Sequence, residues 1–190
     1  ATIEKIKEKI IKKAPWILKQ QSFFFSFHPK VLQRKYISGE THLYFGKQYR
    51  LQISIDKEES VKLRGKFIEV ITFDKTRAKD LLNDWYLQHA QTKFYLIAAP
   101  LIDKFKKYKV MPSSIVLQDM PTRWGSCTPK GKIILNPELI KAPKGCIEYV
   151  IIHELCHLIH LDHTQKFFDL QTKEMKDWEK WKMKLEKLLA

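Results

Sequence analysis

The 190-residue chain has little glycine, little cysteine and no long apolar run, and each shortage removes a class of protein. No hydrophobic stretch approaches the ~20 residues that a membrane helix needs; the aromatic cluster Ser22–Phe27 is far too short. The amino-terminal stretch alternates charge with isoleucine and has no apolar centre of the kind a secretory signal carries, so the expected location is cytoplasmic. Cys127, Cys146 and Cys156 form no C-x-x-C pair. That excludes a zinc ribbon and a disulfide framework, and the three read as small buried thiols. The six glycines make no phosphate-cradling loop. No repeat or low-complexity linker divides the chain, and its length suits one domain.

What is present is a globular composition, with 44% hydrophobic and 12% aromatic residues. The formal net charge is +14, spread over both halves rather than gathered in a tail. Such a field favours anionic partners, so nucleic acid bound through a basic surface enters as one expectation, although no nucleic-acid motif accompanies the charge. A monomer that does not meet a membrane is expected.

Three regions follow from the hydrophobic periods. Residues 1–35 form a helical arm: Ile3, Ile6, Ile10 and Ile11 keep a 3–4 spacing, and Pro15 should end that helix. Its apolar face is short, so docking on the body is expected rather than membrane binding. Residues 36–75 switch to period 2, with Tyr49, Leu51, Ile53 and Ile55 alternating and turns at Gly46 and Arg64-Gly65. This reads as a small antiparallel sheet. Residues 76–190 return to helix. Leu81, Leu82, Trp85, Tyr86, Ala90, Phe94 and Ile97 form one stripe, which Pro100 should kink or divide before about Lys107. Two strands, one beginning at Ile115-x-Leu117 and one at Lys132–Leu135, flank the turn residues of Gly125–Gly131. A helix follows from Lys144, and the tail from Thr164 holds one or two more, with Phe167, Phe168, Trp178, Trp181, Leu185 and Leu188 facing inward. The fold class is α+β.

Within the Lys144 helix, His153-Glu154-Leu155-Cys156-His157 matches H-E-x-x-H. Residues i and i+4 share a helix face, so both imidazoles reach one ion while Glu154 stands beside them to handle the proton of a water. A third ligand must come from His160 or His163. His160 lies about 10 Å along the axis from His153, and an ion between the first two histidines is roughly 7 Å below it, whereas a Zn–N bond is only about 2 Å. Reach favours His163, provided the helix ends between His160 and His163. The spacing then resembles that of metzincins, which carry Gly where this chain has His160. Cys156 points away from the paired histidines and reads as packing. Asp162 or Asp169 offers an acceptor for a histidine N–H.

Two longer stretches, "RWGSCTPKGKIILNPELIKAP" and "EYVIIHELCHLIHLDHTQKFF", resemble the YgjP-like metallopeptidase domain, a relative of SprT-like and other minimal zincins. "SGETHLYFGKQYRL" and "WYLQHAQTKF" resemble upstream segments of the same family, so the likeness runs from about Tyr36 to Trp178. Thr164 stands where the family usually has Ser, and Lys176-Asp177-Trp178 where it has Pro-Asp-Trp; neither change touches a ligand. The resemblance implies a minimal-zincin architecture, His153, His157 and His163 as ligands of one zinc ion per chain, and Glu154 as catalytic. The expected function is a zinc metallopeptidase. The substrate-binding candidates are Arg123 and Trp124, on a strand that could pair with an extended peptide, with Arg123 at the oxyanion. Equally, Arg123 could form a structural ion pair and Trp124 could belong to the core. Two other readings stand beside this one. A nucleoside triphosphate pyrophosphohydrolase would use the same ion with Arg123, Lys130 and Lys132 on the phosphates. A SprT-like protease or adaptor would dock on nucleic acid.

Overall fold

The structure is a computed structural model that describes residues 3–25 and 34–189, with side chains described over 3–15 and 34–188. Contacts divide the chain into two units, one holding helix α1 (Ile3–Phe25) and the other spanning Lys35–Leu189. Each is described by itself. Residues 26–33 of the expected helical arm lie outside the described residues. Contrary to expectation, α1 runs through Pro15. Proline there removes only the bond to the Ile11 carbonyl, and Ile11 is 72% exposed, so water can take that acceptor.

In the second unit, β1 (Thr41–Tyr44), β2 (Lys47–Ile55), β3 (Ser60–Arg64) and β4 (Phe67–Thr72) form a sheet of order β1-β2-β4-β3. Phe45 and Gly46, with φ of 51° and 76°, turn β1 into β2. Two positive φ angles match the twist of a tight hairpin. The sheet is not wholly antiparallel. β3 takes the outer edge, β4 folds back between β3 and β2, and β2 and β4 therefore run parallel from Arg50↔Phe67 to Ile55↔Thr72. Leu51, Ile68 and Val70 alternate onto the buried face, where α2 (Ala78–Phe105) lies. The hairpin tip also braces the approach to the site helix: Phe45 and Gly46 donate N–H to the carbonyls of Ile140 and Lys141 at 2.9 and 3.0 Å.

α2 is continuous through Pro100 rather than divided by it. The carbonyl left without a partner is that of Leu96, a residue 66% exposed, so the lost bond again falls on the solvent side. A second sheet, order β5-β7-β6, contains the two expected strands as β5 (Ser114–Leu117) and β7 (Lys132–Leu135), in parallel register. It also contains a third, β6 (Gly125–Cys127), in residues expected to be turn. The true turn is Thr128–Gly131, closed by Gly131 N–H to Thr128 O at 2.8 Å, with Gly131 at φ 76°. Arg123 and Trp124, expected on a strand, sit just before it.

α3 (Lys144–His157) is the centre of this unit. Cys146, Ile147, Val150, Ile151, Ile152, Leu155 and Cys156 are buried around most of its circumference, the pattern of a helix with neighbours on several sides. α4 (Gln165–Glu174) and α5 (Trp178–Leu189) close over it. α3 stops at His157, earlier than the expected end between His160 and His163. Leu158 and Ile159 form a turn, and the His160 carbonyl folds back to lie 3.2 Å from His157 Nδ1. That side-chain contact gives the chain a way to reverse without the glycine that metzincins use at this position. Among the described residues, five helices and two small sheets give an α+β fold, and no helix is long and apolar enough to cross a membrane.

Candidate metal centre

His153 and His157 occupy successive turns on one face of α3, with ring centroids 4.9 Å apart. The early end of α3 lets His163 come back from the following loop to 4.9 Å from the first ring and 4.7 Å from the second. One ring nitrogen from each of the three lies within 4.8 Å of the others. His153 Nε2 and His163 Nε2 are 3.0 Å apart. Two nitrogens bound to one tetrahedral zinc would stand about 3.4 Å apart, so the arrangement needs only a slight opening to take the ion. His160 does not join them; it contributes its carbonyl to His157.

The outer ring nitrogens fix the tautomers. His153 Nδ1 lies 2.9 Å from Gln171 Oε1, and His157 Nδ1 faces the His160 carbonyl. Nδ1–H donors in both places leave the two Nε2 atoms as lone-pair donors toward the cluster. Phe167, fully buried, forms the floor, with its ring 4.6–4.9 Å from all three imidazoles. Burial pushes His153 down to about 4, and burial also lowers His163, so both are neutral at neutral pH as metal ligation requires. The expected acceptors Asp162 and Asp169 do not accept from the ring nitrogens of the three histidines. The Asp162 carbonyl accepts from Thr164 N–H, and the Asp169 carboxylate accepts from Gln165 Nε2, each at 2.8 Å. Cys156 is buried, and burial pushes its thiol up to about 12, in keeping with packing.

Glu154 is 4% exposed. Burial pushes its carboxyl up to about 8, against the pull of the Arg123 charge. It faces β6 at Gly125, where a Cβ would come 2.6 Å from Glu154 Oε1 and 2.8 Å from Val150 Cγ1. A side chain at 125 is therefore incompatible with the present position of Glu154. β6 is an edge strand, paired with β7, and all three of its residues line a cleft of about 530 Å3. The three histidines, Glu154, Tyr149 and Val150 line the same cleft, together with Arg123, Trp124 and Leu161.

Arg123 is exposed, and Trp124 is half-buried against the core while also lining the cleft. Their backbone is held by Asn136, whose Nδ2 donates to the Met120 and Arg123 carbonyls at 2.9 and 3.1 Å, and whose N–H donates to the Trp124 carbonyl at 2.9 Å. Asn136, Gln171 and Gly125 were not singled out from the sequence. A signal for Gln171 exists: on α4, Phe167, Leu170, Gln171 and Glu174 form one buried stripe, and two of its four members are polar. Nothing comparable marks Gly125, whose constraint comes from an element 29 residues away.

A family model described as YgjP-like, metallopeptidase domain, matches residues 1–188. No curated protein matches the chain.

Proposed function

The chain belongs to the YgjP-like metallopeptidase domain family, and on that premise we propose that it is a zinc metallopeptidase whose ion is held by His153, His157 and His163, with Glu154 as general base. The observation that carries the reading is the convergence of ring nitrogens from three imidazoles within 4.8 Å, beside a buried carboxyl group and an edge strand. Bound zinc supplies a Lewis acid that brings the pKa of a water toward about 7 and polarises a carbonyl. Glu154 ionises more readily beside a divalent cation, takes the proton of the attacking water and returns it to the leaving amine. β6 offers its free edge to an extended peptide, so backbone hydrogen bonds position the scissile bond along the cleft. Arg123, two residues before β6, supplies positive charge for the oxyanion.

A peptide fits better than a triphosphate. Among the described residues lining the cleft, Arg123 is the only Lys or Arg; Lys130 and Lys132, which a triphosphate would call on, do not line it. The deciding experiment is Glu154→Gln. It should retain stoichiometric zinc and lose peptide hydrolysis by about 10²–10⁴-fold. Undiminished hydrolysis in that variant refutes the assignment of Glu154. Release of pyrophosphate from nucleoside triphosphates, with no cleavage of a casein or peptide library, refutes the peptidase reading while leaving the metal site intact.

A further inference from the structure

Gln171 is fully buried on α4, and its side chain makes one hydrogen bond, Oε1 accepting from His153 Nδ1–H at 2.9 Å. Its Nε2 is buried with no hydrogen-bond partner. A buried amide with an unpaired NH2 costs desolvation that a leucine of similar size would avoid. Packing alone therefore gives no reason for glutamine at this position on the stripe; the single bond to His153 does.

We propose that Gln171 is a positioning residue for the metal, holding His153 as the tautomer whose Nε2 lone pair faces the ion. This rests on the metal-site reading above. The opposite amide orientation would aim N–H at Nδ1 and move the ring proton to Nε2, which stands 3.0 Å from His163 Nε2 and would then be closed to ligation. The acceptor on His157 is likewise neutral, a backbone carbonyl. Both helix histidines are thus oriented without a carboxylate on their outer nitrogens. His153 Nδ1 is held by the buried Gln171 oxygen and His157 Nδ1 by a backbone carbonyl, so loss of the Gln171 side chain leaves His153 free to adopt the wrong tautomer.

Zinc affinity by chelator competition tests this without any substrate, and the visible spectrum of the cobalt-loaded protein reports ligand geometry. Gln171→Leu should weaken zinc binding by roughly 10–100-fold and change the cobalt spectrum. Gln171→Glu, which keeps an acceptor at the same place, should bind zinc at least as tightly as the native protein. Thermal unfolding of the metal-free variants separates this from a packing effect, because a purely structural role would shift that transition and leave affinity unchanged. Native affinity and spectrum in Gln171→Leu overturn the proposal, as does a glutamate variant as weak as the leucine one. Should the leucine variant not fold, Gln171→Met is read in its place against the same criteria. A native protein that takes up no zinc overturns the metal site itself, a result distinct from native protein and variant binding equally well.

Discussion

Replacing Gly125 by alanine adds one methyl group at the point where β6 meets α3. Gly125 has no positive φ, so the backbone accepts alanine and the effect is one of contact alone. The new Cβ would lie 2.6 Å from Glu154 Oε1, 2.8 Å from Val150 Cγ1 and 2.9 Å from Glu154 Cγ. Ordinary contact begins near 3.4 Å, so the carboxylate must retreat by about 0.8 Å or β6 must lift by as much. Neither retreat is free: Glu154 is 4% exposed on a helix buried on most sides, and β6 is tied to β7. A displacement near 1 Å of a catalytic group costs about 10²-fold in rate. The same overpacking should lower stability by about 1–3 kcal/mol. The histidines do not face the added methyl among its nearest contacts, so zinc content should be unchanged. The assay is kcat and KM on a peptide cleaved by the native protein, with metal content measured on the same samples. Gly125→Ala with native kcat would refute the placement of Glu154 against β6. Loss of zinc along with activity would refute the separation of Glu154 from the ligand set.

His163→Ala should weaken zinc binding by more than the roughly 100-fold typical of outer partners, while His160→Ala should leave it near native, because position 160 offers only a backbone carbonyl that alanine retains; chelator competition on both variants checks this, and the reverse order would refute the ligand set. Glu174 provides a pH test of stability. Its carboxylate is fully buried and lies 3.1 Å from Lys104 Nζ and 2.9 Å from Lys107 Nζ, with the Tyr108 hydroxyl also donating to it. Burial alone would raise its pKa, but the hydrogen bonds from Tyr108, Lys107 and Lys104 outweigh that and hold it below the usual 4.5. A depressed carboxylate stabilises the fold above its unfolded value and loses that contribution as pH falls through the folded one. Glu174→Gln should therefore lower the unfolding free energy by about 2 kcal/mol at pH 7, discounted because both lysines are half-exposed, and by much less at pH 3. Urea unfolding at the two pH values measures it, and an equal loss at both would refute the linkage.

Local features of the site were legible because they depend on spacing within one element. His153, Glu154 and His157 needed only the period of a helix, and Gly46 and Gly65 needed only the positive φ of a hairpin. Helix ends were read less well. Pro15 was expected to end its helix and Pro100 to kink or divide its own; neither interrupts its helix, because each strands a carbonyl on an exposed residue, a matter of which side faces water and not of the proline itself. The end of α3 at His157 depends on a carbonyl folding back to a side chain, which no propensity records. The parallel pairing of β2 with β4 escaped because period 2 marks a strand without naming its neighbour. β6 has three residues and no apolar alternation, so the very strand that lines the cleft gave the weakest signal.

The burial of α3 has opposite chemical consequences for two adjacent residues. Removing water penalises whichever form carries charge. For His153 that is the protonated ring, and the group stays neutral and ready to donate a lone pair. For Glu154 it is the carboxylate, and the group is held near neutrality as an acid. Without a cation the pocket thus avoids uncompensated charge at the centre of the fold, which is why a helix with so apolar a surround can carry both residues. A dication changes the balance for one of them only. In the proposed site it would need the imidazole as it already is and would favour ionisation of the carboxyl beside it, so the proposed base would form where and when the metal is present. Arg123, exposed and lining the same cleft, pulls in the same direction but does not by itself overcome the burial. On the proposed reading, the apolar packing that makes α3 the core of the unit would also make Glu154 dependent on the metal, and substitutions that let water onto that face should weaken the dependence before they weaken the fold.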